Sequence, residues 1–142
     1  MPYCALADIT KAVPEKDILQ LTDDSGLGVI DQVKVDDAIS YADQLIDGYL
    51  RGRYPLPLTT VPGLIKNLSS DLALFHLYSR RIELEMPESM MAKYKNAIKL
   101  LEQIQKGLIS IGIETAGSSA GSYKTNKTSA DRKFSKDVLD GF

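Results

Sequence analysis

The chain has 142 residues, 44% of them hydrophobic and 25% charged, with 17 Lys and Arg against 19 Asp and Glu and a formal net charge of -2. That size fits one domain burying roughly two-thirds of its unfolded surface, and the lack of a basic excess argues against a whole-protein interaction with nucleic acid or an anionic membrane. A single Cys and a single His exclude an internal disulfide and a multi-thiolate metal site, no apolar run reaches the roughly 20 residues of a membrane span, and MPYCALAD is not a signal peptide; a cytoplasmic protein without metal or cofactor is expected.

In chain order, residues 6–13 and 14–21 read as two short helices. Between them and the next element lies TDDSGLGVID, whose carboxylates beside glycines invite a calcium loop. The spacing refuses it, because neither register that puts a glycine sixth ends in the bidentate Glu. A dinucleotide loop fails too, since Asp31 stands where a third glycine would be. The reading is a turn followed by a helix N-cap at Asp31.

From Asp31 to about Gly52, Val35, Ala38, Ile39, Ala42, Leu45, Ile46, Tyr49 and Leu50 recur at the three-and-four spacing of one helical face. Arg51 and Arg53 suit its C-terminal end, and Tyr54-Pro55-Leu56-Pro57-Leu58 stops it, since each proline removes an amide donor. This corner is expected to lock the first long helix on the second through Tyr54, Leu56 and Leu58. The second helix has Pro62 in its first turn and is apolar on all sides through Leu64, Ile65, Leu68, Leu72, Leu74, Phe75 and Leu77, the mark of a central helix or an oligomer contact. Arg80 and Arg81 close it. A third opens at Pro87, carries the stripe Met90, Met91, Tyr94, Ala97, Ile98, Leu101 and Ile104, and ends at a Gly107 cap. Residues 108–113 read as a short strand.

Charge then changes character. Residues 1–115 hold 12 basic and 16 acidic side chains, whereas 116–142 hold 5 and 3. The stretch AGSSAGSYKTNKTSA has Tyr123 as its only large apolar group, the composition of a flexible linker. Phe134, Val138, Leu139 and Phe142 then restore apolar character, which suggests a docking arm. The expected organisation is a helical body over 1–115 and an arm over 116–142.

No residue set supplies catalysis. Asp71, His76 and Ser79 form a triad by inventory only, because their spacing on one helix does not line up nucleophile, base and orienting acid. Cys4 reads as a small buried hydrophobe. The pairs Arg51 with Arg53 and Arg80 with Arg81 read as helix-end cations or as contacts for a partner's carboxylates or for DNA passing close by.

One resemblance goes further than periodicity. Tyr3-Cys4-x-Leu6-x-Asp8, Leu21-Thr22-Asp23-Asp24, the run Ile46-Asp47-Gly48-Tyr49-Leu50-x-Gly52-Arg53-Tyr54-Pro55-Leu56-Pro57-Leu58, Val61-Pro62-x-Leu64, Tyr78-x-Arg80-Arg81 and Phe134-Ser135-x-Asp137-x-Leu139-x-Gly141-Phe142 resemble the small Mu-like prophage protein of the head and tail morphogenesis region. The resemblance implies kinship with the helical head-tail connector, or adaptor, proteins of tailed phages, which form a ring beneath the portal and join it to the tail. It implies no catalytic residue. The expectation is therefore an all-α protein, a small orthogonal bundle of three long and two short helices with an extended C-terminal arm. It would be a non-enzymatic homo-oligomer that meets portal and tail-completion proteins, made in the bacterial cytoplasm and resident in the virion neck. Its expected contact residues are Arg51, Arg53, Tyr54, Arg80, Arg81, Phe134, Leu139 and Phe142. The alternative is a monomeric prophage-encoded interaction module or regulator.

Overall fold

The computed structural model describes residues 1–116, and in them five α-helices follow one another: α1 Leu6–Ala12, α2 Glu15–Thr22, α3 Gln32–Leu50, α4 Gly63–Arg80 and α5 Glu88–Gln105. Two short helices precede three long ones, and no strand occurs among the described residues, so the all-α expectation holds. The strand expected at 108–113 does not form. Gly107 and Gly112 both sit at φ 79°, which bends the run twice, and Ile111 drops instead onto the core as a 7% exposed plug.

The caps follow local chemistry. Asp31 Oδ1 accepts the Val33 amide at 3.1 Å, the bond expected of an N-cap that satisfies one of the helix's orphan donors. Pro62 and Pro87, expected inside the first turns of α4 and α5, stand one residue outside them as N-caps with extended ψ of 149° and 140°. Their carbonyls still accept the first helical amides, from Lys66 at 3.0 Å and Met90 at 3.0 Å. At the end of α5 the Gly107 amide donates to Ile104 O at 3.0 Å and the Leu108 amide to Gln103 O at 2.9 Å, the paired bonds of a left-handed glycine stop.

The apolar face read from α3 is buried as expected, with Val35, Ala38, Ala42, Ile46 and Leu50 all at 0% exposure. It packs chiefly on α4, which runs back along it: Ser69 of α4 faces Asp43 of α3, and Arg80 reaches the chain just ahead of α3. α4 also touches α1, α2 and α5. That explains its all-round apolarity, since a helix surrounded on four sides must bury every face. It is the central helix. At the corner after α3, Tyr54 and Leu58 are core residues at 1% and 5% exposure, Leu56 packs beside them, and the Leu56-Pro57 bond is cis.

Candidate interaction surface

Two groups of carboxylates stand out, one at each end of α3. At its N-terminal end Asp23 spends its carboxylate on the loop itself, accepting the amides of Leu27 at 2.9 Å and Gly28 at 2.8 Å. These amides hold its pKa below the usual carboxylate range. Asp24 is held by three cations: Lys34 Nζ at 2.6 Å, Arg80 Nη2 at 2.8 Å and Arg81 Nη1 at 2.8 Å. Lys34, then Arg80, then Arg81 drive its pKa far below the ordinary value. Arg80 also donates to the Leu21 carbonyl at 2.9 Å, and Lys34 to the Thr22 carbonyl at 3.2 Å. The end of α2, the following loop, the start of α3 and the end of α4 are thereby tied at one point. The sequence that suggested a calcium loop is a protein-internal ion cluster, its carboxylates already committed to amides and cations.

Towards the C-terminal half of α3 the pattern differs. Tyr3 donates its amide to Asp43 Oδ2 at 3.1 Å and its hydroxyl to Asp47 Oδ1. Ser69 Oγ lies 2.9 Å from Asp43 Oδ1 and 3.2 Å from Cys4 Sγ. A serine has one hydroxyl proton and a carboxylate only accepts, so the proton goes to Asp43 and the Cys4 thiol donates to Ser69. Burial raises the pKa of Asp43 against the pull of these bonds, with the Asp47 charge adding to the rise. Burial likewise pushes the Cys4 thiol up to about 11 and, with the Asp47 hydrogen bond, lifts the Tyr3 hydroxyl well above the usual phenol value. Cys4 is buried as expected, at 3%, but it is a hydrogen-bonded member of a polar network and not simply a small hydrophobe.

The expected contact residues do not form one surface. Arg51 is exposed at the end of α3. Arg53 lays its guanidinium against the α5 stop, so near that a Cβ on Gly107 would come within 2.3 Å of Arg53 Nη1. Tyr54 is 1% exposed, with its hydroxyl accepting the Ile111 amide at 3.4 Å, so it braces the core and is closed to a partner. Arg80 and Arg81 are spent on Asp24, at the opposite end of α3 from Arg51 and Arg53. The two arginine pairs, both among the expected contact residues, lie apart: because α4 doubles back along α3, about 28 Å of helix separates them. Phe134, Leu139 and Phe142, like the linker expectation, lie outside the described residues. The Asp71, His76 and Ser79 inventory is also resolved: Ser79 donates to the His76 carbonyl at 2.7 Å, Asp71 faces Lys93 at 3.6 Å, and His76 stacks on Tyr41 at 4.4 Å between ring centroids.

The sequence reading missed one surface feature. Leu27, Val29 and Val33 are 75%, 61% and 68% exposed, three aliphatic side chains in seven residues, on the segment that Asp23 and Asp24 pin in place. Single exposed aliphatics are ordinary; three within seven residues on a loop tied by hydrogen bonds and ion pairs are a candidate contact surface. The signal was present in GLGVIDQV, where aliphatic residues interrupt a turn that solvation alone would keep polar. No helix among the described residues is long and apolar enough to cross a membrane.

Comparison with known proteins covers the motifs from Tyr3 to Arg81, while the one at 134–142 lies beyond the matched residues. Residues 3–129 match the family model described as bacteriophage Mu Gp36. Two similar proteins are the Mu-like prophage FluMu protein gp36 of Haemophilus influenzae, 36% identical over 84 residues, and gene product J of Escherichia phage Mu, 36% identical over 96 residues. The aligned parts cover 59% and 66% of this chain and 57% and 65% of those relatives' lengths. With the family match running from the Tyr3 anchor through all five helices, the chain belongs to the bacteriophage Mu Gp36 family.

Proposed function

We propose that this chain is a virion assembly protein, a head-tail connector subunit that forms a ring between portal and tail. The observation that carries this reading is the apolar rim of Leu27, Val29 and Val33 on a loop held rigid by Asp23 and by the three cations on Asp24. A ring subunit needs a contact patch whose shape is set before assembly, because a preorganised patch leaves little entropy to lose on docking. Family membership supports a phage role, and the connector role is the physical reading of the rim. Exposed Arg51 at the other end of α3 is the cation best placed to meet a partner's carboxylates or passing DNA, and the apolar residues Phe134, Leu139 and Phe142 supply an adhesive end for a neighbouring subunit or partner ring. Portal and tail-completion proteins are the partners this reading names, with the virion neck as the final location.

Light scattering after size exclusion over a concentration series, with electron microscopy of the protein co-expressed with its genomic neighbours, tests it. Rings are expected, and Val29→Asp with Val33→Asp should abolish them without changing helicity. Deleting residues 131–142 should also prevent assembly while leaving the melting of the body unchanged. A protein that stays monomeric under all these conditions and in the presence of its neighbours is the rival interaction module, and the connector reading fails.

A further inference from the structure

The cleft between the N-terminal residues and α3 encloses about 570 Å³ and has Pro2, Leu6 and Ile39 among its apolar walls. A second cavity of about 620 Å³ lies at the proline corner. Asp47 lines both, so the two adjoin at that residue, and together they are called the trough along α3. Its side-chain charge is mainly acidic, with Asp36, Asp43 and Asp47 against the single cation Arg51 in the second cavity. Between Lys34 and Arg51, α3 carries Asp36, Asp37, Asp43 and Asp47 and no Lys or Arg. The hydrogen bonds to Asp43 and Asp47 come from a hydroxyl, a phenol and an amide, all neutral, and among the described residues no Lys or Arg pairs with either. The chain's amino group exerts only a weak pull on Asp43, and nearby Lys66 faces Asp8 at 3.9 Å. Asp43 is thus a partly buried carboxylate whose desolvation no side-chain cation offsets, in contrast to Asp24.

The chain itself carries the complement. Residues 124–133 hold Lys124, Lys127, Arg132 and Lys133 against the single acid Asp131. They also start from the right place: Ala116 lines the second cavity, its amide donating to Arg53 O at 2.7 Å. The eight residues from 116 to 124 can span up to about 28 Å, whereas Asp47 and Asp36 are about 17 Å apart along α3. The tether therefore reaches every acid in the trough, and its shortness gives the segment a local concentration that a separate molecule would not have.

From groove, charge and exit point together we infer that the trough along α3 receives the basic stretch 124–133 of the same chain. Each subunit holds the root of its own C-terminal segment on its body, with Asp36, Asp43 and Asp47 meeting the lysines and Arg132, and leaves Phe134, Leu139 and Phe142 beyond the anchor for a partner. The role of those last residues rests on the connector reading; the anchoring does not.

Zero-length carbodiimide coupling of the unmodified full chain, followed by mass spectrometry of the joined peptides, reads this directly. A one-to-one mixture of ¹⁴N- and ¹⁵N-labelled protein separates own-chain links from links between copies. Amides joining Lys124, Lys127 or Lys133 to Asp36, Asp43 or Asp47 are expected within single isotopic chains. Their yield should drop at least five-fold in 0.5 M salt, where exposed charges lose their reach, while the Lys34 to Asp24 link of the body changes less than two-fold. Mixed-isotope peptides would assign the trough to a neighbouring copy, and links only to other acids, or none, would leave it without this occupant; any of the three overturns the inference. Ring formation is scored separately by mass and microscopy, so either idea can fail without the other.

Discussion

The two ends of α3 solve the same problem in opposite ways. At the N-terminal end the Asp24 carboxylate is exposed enough to keep water and yet gathers Lys34, Arg80 and Arg81; towards the C-terminal half, Asp43 is more buried and has only Tyr3 and Ser69. Desolvation costs more in the second place and is offset less, which is why the pKa of Asp24 is lowered and that of Asp43 raised. A carboxylate surrounded by its own protein's cations is closed structural chemistry. One held by neutral donors beside an open cleft keeps its capacity to attract a cation from outside. The difference is one of compensation: the first carboxylate is neutralised by its own protein's cations, the second is held by neutral donors alone.

The neutral network is the place to expect the largest effects. Replacing Ser69, at 0% exposure, by Ala should lower stability by about 1–3 kcal/mol, because the Cys4 thiol loses its acceptor and Asp43 a donor in a buried setting; denaturant melts measure it, and a change below about 0.5 kcal/mol would mean that the cleft is wetter than its geometry implies. The Cys4 thiol, with a pKa of about 11, should react with iodoacetamide at pH 8 on the order of 100-fold more slowly than free cysteine, since only roughly one part in a thousand is thiolate. Reaction at the free-cysteine rate would show that the network opens in solution.

The finest distinction is one of sign. Asp24 has a lowered folded pKa, so its stabilisation is present above the unfolded value near 4 and is lost as pH falls through the folded pKa. Asp24→Asn should therefore destabilise at pH 7, and the gap from the parent should close in acid and in high salt. Asp43 has a raised folded pKa, so its charge costs stability above that pKa and the cost vanishes as pH drops below the unfolded value. Relative to the parent, Asp43→Asn should thus fare better at pH 7 than at pH 3. Paired urea melts at the two pH values check both, and parallel shifts would erase the contrast between the two ends.

Much of this was legible in order along the chain. The α3 stripe, the Asp31 cap, the Gly107 stop and the proline corner follow from near-neighbour rules, because helix periodicity, capping and proline sterics act within a few residues. The all-round apolarity of α4 could be read too, though it fitted a central helix or an oligomer contact alike until packing on α1, α2, α3 and α5 showed the first. The failures share a cause. Residues 108–113 have strand-like alternation, but a strand exists only against another strand, and two left-handed glycines decide otherwise. Tyr54 looked like a contact residue within a recognisable motif, and only packing shows its ring in the core.

Arg80 and Arg81 make the division plain. Sequence alone placed them at a helix end, where cations suit the dipole. That they meet Asp24, more than fifty residues earlier, depends on α4 doubling back along α3, an arrangement set by the burial of both helices' apolar faces. The same doubling back carries Ser69 to Asp43 and leaves Asp47 open to the cleft. Local chemistry determined where each helix begins and ends and which face it buries; the partners of the charges were decided by tertiary packing, because electrostatic pairing depends on separation in space and helix docking sets that separation.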